Sequence, residues 1–355
     1  MLLPVLFLMA ARIQPEAVTL PSRQPQLAVR NQQVGMAFGA GAFIYFTSSP
    51  DQGRTFLPPV KVAEVGVLAL GRHRGPRLVI VKDAMVISAV VGEKIATGTH
   101  AHGSPEAGNL RAWRSTDQGK TWTTTSLIND VPGAAREGLH AMTGDSKGNV
   151  FATWLDLRSE GTKLYGSRSM DSGRTWSKNV MVYSSPAGTI CQCCAPSLSS
   201  DDKGRIYVMW RNVIDGFRDL YVTSSADGSK FEPAKKLGDG TWKLNACPMD
   251  GGSLSVENGQ VTSAWRRDSD VFLAEPGKPE KLVGTGKDVA MVKSKLGTFV
   301  AWTKDGGIQL MSPNAKAPVQ LTAEGAFVNL LALPDGSVVA AWEASGSIET
   351  KRIDH

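Results

Sequence analysis

The sequence predicts an all-β chain folded as a ring of four-stranded antiparallel blades, a β-propeller, and three observations support this. A short turn pattern recurs at near-regular spacing. It reads Ser49-Pro-Asp51-Gln-Gly53-Arg-Thr55-Phe56, Ser115-Thr-Asp117-Gln-Gly119-Lys-Thr121-Trp122 and Ser169-Met-Asp171-Ser-Gly173-Arg-Thr175-Trp176, with a shorter copy at Ser225-Ala-Asp227-Gly228-Ser-Lys-Phe231. A second marker, a small or medium residue before a large apolar one, keeps register with it: Ala37-Phe38, Ala89-Val90, Thr153-Trp154, Met209-Trp210, Ala264-Trp265, Ala301-Trp302 and Ala341-Trp342. Hairpin signals such as Lys147-Gly-Asn149, Asn258-Gly259 and Asp335-Gly336 sit between alternating apolar residues. Repeats of this kind are the mark of blades stacked around an axis.

Each element follows from local chemistry. In the recurring turn the Asp carboxylate accepts backbone N–H groups, the glycine takes positive φ, and the aromatic anchors the next strand. Asp51, Asp117, Asp171 and Asp227 are therefore structural. Strand, hairpin, strand, strand, turn and strand make one blade, and the markers count seven; six blades with an added hairpin is the alternative. Blades five and six close through Glu275-Pro-Gly277-Lys and Ser312-Pro-Asn314-Ala. The seventh has strands near 327–333, 337–342 and 347–352. Its fourth is expected from the N-terminal side, around 17–20, which closes the ring and protects its edges. Residues 92–109, rich in Gly, His and small side chains, read as a loop inserted in blade two.

Composition narrows the class. The chain has 355 residues, is 42% hydrophobic and carries a net charge of +6, enough apolar material for a large core. No lysine or arginine run points to nucleic acid. The apolar segment 2–10 is too short to span a bilayer and ends in small residues, so residues 1–14 read as a secretory leader before a single domain at 15–355. An exported monomer is the expectation.

The turns resemble those of the Asp-box, or BNR-repeat, sialidase-like superfamily, and the pattern runs over nearly the whole chain after residue 14. That resemblance implies a secreted glycoside hydrolase acting on acidic glycans, with arginines clamping the substrate anion, a Tyr–Glu nucleophile couple and an Asp acid/base. The sequence departs from it at two points. The stretch Gln24-Pro-Gln-Leu-Ala-Val-Arg30 lacks the Phe/Tyr-Arg-Ile-Pro motif, and no tyrosine follows Tyr221. A non-catalytic propeller that binds an anionic glycan or protein is the alternative.

Propeller geometry alone places candidate residues. Loops leading into the innermost strands, and loops joining second to third strands, open on one face around the channel mouth. They carry Arg72-His73-Arg74-Gly75-Pro76-Arg77, Arg136-Glu137-Gly138-Leu139-His140, the Cys191–Pro196 stretch, the Cys247–Gly252 stretch, Asp156 with Arg158, Arg211 with Arg218-Asp219, and Arg266-Arg267. Arginine forks suit carboxylate, sulfate or phosphate, which makes Arg74, Arg77, Arg136, Arg211 and Arg266 the anion-binding candidates. Glu137, Asp250 and Asp219 are the acid/base candidates, provided two lie about 5–9 Å apart across a scissile bond, with His140 as a further proton carrier. Blades one, six and seven contribute little to this set.

All four cysteines lie in two of these loops. Two readings stay open. Disulfides from Cys191, Cys193 or Cys194 to Cys247 would staple blade four to blade five. Alternatively, the C-x-C-C spacing presents sulfurs to a soft ion such as Zn or Cu(I), with His73, His140 or the His100/His102 pair in reach. No other cofactor is expected.

Overall fold

The computed structural model describes residues 11–16, 19–97 and 104–354. Seven antiparallel sheets form a closed ring. Blade one is Ser22–Arg30, Gln33–Ala40, Phe43–Ser49 and Val60–Glu64, and blade three is His140–Gly144, Val150–Asp156, Lys163–Ser169 and Val180–Tyr183. Blade four runs through Ser197–Ser200, Ile206–Arg211, Leu220–Ser225 and Lys235–Lys236, and blade five through Ser253–Glu257, Gln260–Arg267, Asp270–Ala274 and Lys281–Thr285. Blade six is Lys287–Ser294, Gly297–Lys304, Gly307–Met311 and Val319–Thr322. In blade two the inner position is split. Val67–Leu68 and Arg77–Ile80 both pair with Met85–Gly92, followed by Asn109–Ser115 and Thr123–Leu127.

Blade seven is Ala326–Ala332, Val338–Ala344 and Ser347–Ile353, completed by Ala11–Ile13, which pairs with the last strand through Arg12 opposite Glu349. The ring is closed from the N-terminal side as expected, but by a different segment. The 17–20 stretch is not the closing strand: Thr19 and Leu20 are not in a strand, and residues 17 and 18 lie outside the described residues. The apolar run 2–10 also lies outside them. Among the described residues no helix is long and apolar enough to cross a membrane. The described parts of the 92–109 insertion pair with each other rather than forming a plain loop: Ala96 N donates to the Ser104 carbonyl and Glu106 N to the Lys94 carbonyl, which extends the blade-two hairpin; residues 98–103, with His100 and His102, lie outside the described residues.

The second strand of each blade is covered by neighbouring blades on both faces. That is why most of the small–large pairs are apolar throughout: Ala37 and Phe38, Ala301 and Trp302, and Ala341 and Trp342 are all buried. The large side chain of one blade shares a core with the small member of the preceding blade, Trp302 with Ala264, Trp342 with Ala301 and Phe38 with Ala341.

The recurring turns staple adjacent blades. Asp51 Oδ1 accepts Thr55 N at 2.8 Å, and Ser49 Oγ accepts Gly53 N at 2.7 Å; the same bonds recur at Asp117 and Asp171, and a reduced set at Asp227. Each turn glycine lies on the preceding blade. A Cβ on Gly119 (φ +85°) would sit 2.1 Å from Phe46, and one on Gly53 (φ +86°) would sit 2.3 Å from Val339. An arginine on the preceding blade caps a turn carbonyl: Arg114 at Ser172, Arg168 at Asp227, and Arg352 at Gln52. The last of these, with the Arg54–Asp354 ion pair, ties blade seven to blade one.

Candidate functional site

The mouth face gathers the predicted loops as the topology requires, but most of the arginines there are structural spokes. Arg77 donates to the carbonyls of His140, Gly75, Pro76 and His73, and burial lowers its pKa to about 10. Arg211 is 1% exposed and donates to the carbonyls of Asp250 (3.2 Å), Arg218 (2.7 Å) and Arg266 (2.9 Å). Arg74 bonds the Glu137 carbonyl at 2.6 Å, with its carboxylate at 3.8 Å. Arg266 reaches Asp250 at 3.1 Å and the Pro248 carbonyl at 2.9 Å. Arg136 is exposed. Arg158 is held by Asp156 and Asp130, and Arg267 by Glu280.

The predicted acid/base residues each have their own partners. Asp250 is buried, and besides Arg266 its Oδ2 accepts Asp288 N at 2.9 Å. Asp219 accepts Trp242 N. His140 is fully buried, with Nε2 3.0 Å from Ser88 Oγ, and desolvation with the nearby Arg77 charge pushes its pKa down to about 3. It is a neutral core histidine. Glu137 is half-buried beside Arg74.

The four cysteines are unbridged. Cys247 is exposed, so the expected staple between blades four and five is not made. Cys191, Cys193 and Cys194 are buried together instead, with Cys191 Sγ 3.6 Å from Cys193 Sγ and 3.3 Å from Cys194 Sγ. Arg218 NH1 donates to Cys191 Sγ at 3.2 Å. Those sulfur contacts hold the Cys191 thiol below the ordinary range; contact with Cys191 pushes Cys193 up, and burial pushes Cys194 up.

Sequence reasoning missed the other half of the mouth. The inner strands of blades one, six and seven each begin with a bulge, between Arg23 and Gln26, Lys287 and Ala290, and Ala326 and Asn329. The bulged residue has positive φ in each: Gln24 (56°), Asp288 (57°) and Phe327 (53°). None is glycine, and such a backbone costs about 1–3 kcal/mol per residue, a cost that clusters at functional sites. The bulges line a central cavity of 220 Å³ to which all seven blades contribute. Beside it lies a 650 Å³ cleft over blades six, seven and one, with Asp288, Asp305, Glu324 and Glu343 on its walls, joined by Arg23, Lys287 and Phe327.

Two carboxyl groups stand out in the cleft. Glu343 Oε1 accepts Gln24 N and Nε2, both at 2.8 Å, while burial raises the Glu343 pKa above the ordinary carboxylate range. Asp288 Oδ1 pairs with His73 Nε2 at 2.9 Å, and the His73 ring meets Phe327 edge-on at 5.2 Å. One carboxyl is thus biased toward its protonated form while the other has a basic partner. No motif marks these residues; Asp288 lies at the start of an inner strand and Glu343 near the end of a second strand.

No family model matches the chain, and the search of curated proteins finds no match. Among solved structures it is similar to an α-L-arabinanase of Penicillium chrysogenum complexed with arabinobiose (13% identity, 97% of each chain covered, TM-score 0.56). It is also similar to a PL25 ulvan lyase (13%, 95% and 93% covered, TM-score 0.54) and to the Hadza microbial sialidase Hz136 (15%, 92% and 74% covered, TM-score 0.52). At these identities the likeness concerns the fold. The chain is a seven-bladed β-propeller.

Proposed function

We propose that the protein is an exported carbohydrate-active propeller that hydrolyses a glycosidic bond of an acidic glycan in the cleft over blades six, seven and one. The observation that carries this is Glu343, a carboxyl held toward its neutral form on the wall of an open cleft that also holds Asp288. Glycoside hydrolysis needs one protonated and one ionised carboxyl flanking the bond. Glu343 donates its proton to the leaving oxygen, and Asp288, paired with His73, serves as nucleophile or base. Phe327 offers a face for a sugar ring. Arg23 and Lys287, both exposed on the cleft wall, take the anionic group, a role the sequence assigned to the structural spokes. Solved relatives of this fold that act on arabinan, ulvan or sialosides support the reading by analogy. Export fits a leader ending at or before Ala10, since Ala11–Ile13 completes blade seven.

The test is turnover on arabinan, sialosides and uronate-bearing or sulfated polymers, followed by reducing-end release. Glu343→Gln lowers kcat by about 10²–10⁴-fold with unchanged folding, and Arg23→Ala raises KM on anionic substrates only. An unsaturated uronate product means elimination and refutes hydrolysis. No turnover on the whole panel refutes catalysis and leaves glycan binding.

A further inference from the structure

The buried sulfurs take no part in the cleft, and their surroundings call for an ion. Among the described residues, Cys191, Cys193 and Cys194 form the one group of three or more metal-ligating side chains whose donor atoms lie within 4.8 Å of one another. The loop that carries them is pinned from both ends. Cys191 N bonds the Arg211 carbonyl at 3.1 Å, and Ser197 Oγ bonds the Gly252 carbonyl at 2.5 Å.

The positive charge around the cluster is also arranged. Arg218 is fixed by its Nε bond to the Leu244 carbonyl and points NH1 at Cys191 Sγ. A neutral thiol is a poor acceptor for a guanidinium, whereas a thiolate is a strong one. The Arg218 guanidinium thus places positive charge against the cluster, complementary to a metal–thiolate group. Val213 and Met249 pack over the cluster and limit its contact with water.

We infer that Cys191, Cys193 and Cys194 bind one Cu(I) ion in a three-sulfur site. The donor set selects it. Zinc in structural sites takes four ligands, and among the described residues no fourth Cys, His, Asp or Glu joins this group. Cu(I) is soft and is selected by thiolate and thioether ligands. Binding involves no redox change: the metal enters as Cu(I), and the remaining thiol protons leave to solvent. This inference is independent of the glycan reading, because the cluster lies in blade four and the cleft over blades six, seven and one.

The experiment titrates the reduced full-length chain with Cu(I) under anaerobic conditions against a chromogenic Cu(I) chelator. One ion per chain is expected to leave the chelator, with a copper-edge X-ray absorption spectrum showing sulfur neighbours only. Cys191→Ser and Cys194→Ser weaken binding by more than about 100-fold, whereas Cys247→Ser leaves it unchanged. Should the serine variants fail to fold, the spectrum of the wild-type complex and the Cys247→Ser titration decide. The inference is overturned if copper stays with the chelator, if Cys247→Ser abolishes uptake, or if nitrogen or oxygen appears in the copper shell. A Cys191–Cys194 disulfide that persists in the reduced, folded protein overturns it as well.

Discussion

Replacing Arg211 with methionine separates a structural spoke from a ligand clamp. Arg211 is 1% exposed and its three bonds reach carbonyls of Asp250, Arg218 and Arg266, tying the second strand of blade four to blade five. Methionine fills much of the same volume but leaves three carbonyls without their donors. Each buried unpaired acceptor costs about 1–3 kcal/mol. Some of that is recovered by relaxation and by removing a buried charge, so a net loss of about 3–5 kcal/mol is expected. For a chain of this length each kcal/mol moves the midpoint by about 1–2 °C, so Tm falls by about 3–10 °C. Trp210, adjacent in sequence, and Trp242, whose ring lies 5.2 Å from the guanidinium carbon, report the transition by fluorescence. Lysine at the same position keeps the charge but lacks the planar fork, and recovers only part of the loss. If Arg211→Met unfolds within about 1 kcal/mol of wild type, the spoke assignment is wrong and a ligand role returns.

Three further outcomes follow from the same geometry. Gly119→Ala places a Cβ against Phe46 at positive φ and costs about 2–4 kcal/mol, whereas Gly188→Ala, with nothing within 4 Å, costs only the backbone term of about 1–2 kcal/mol; equal losses in chemical denaturation contradict the packing account. His140 has its folded pKa depressed to about 3, so the unfolded chain binds more protons below pH 6.5 and wild type loses about 2 kcal/mol between pH 6.5 and 5. His140→Gln should flatten that slope, and an unchanged slope assigns the acid sensitivity elsewhere. Glu343 has a raised pKa, so the folded state holds the extra proton and stability falls as pH rises from the ordinary carboxylate range through the elevated value. Glu343→Gln, which keeps an oxygen for Gln24, should be more stable than wild type at pH 7 and equal to it at pH 3; the reverse ranking rejects a protonated Glu343.

Much of the fold was legible because its signals are local. The Ser-x-Asp-x-Gly-x-Thr turns specify their own hydrogen bonds within seven residues, and the pairs ending in Phe38, Val90, Trp154, Trp210, Trp265, Trp302 and Trp342 marked every second strand. The closing segment was harder. Ala11–Ile13 forms a strand through its pairing with blade seven, where its partners Ile348, Glu349 and Thr350 lie more than 330 positions away in sequence, and nothing in its own composition distinguishes it from the 17–20 stretch.

The candidate site divides along the same line. From the sequence alone, residue types and their repeat positions determined which loops were expected to share the channel mouth. Which of those groups face inward was decided only by tertiary structure. A guanidinium satisfied by carbonyls and one waiting for an anion have the same sequence, and the difference lies in partners contributed by the neighbouring blade. The same reason hid Glu343: its displaced proton affinity comes from burial between blades seven and one, and burial is a property of the assembled ring.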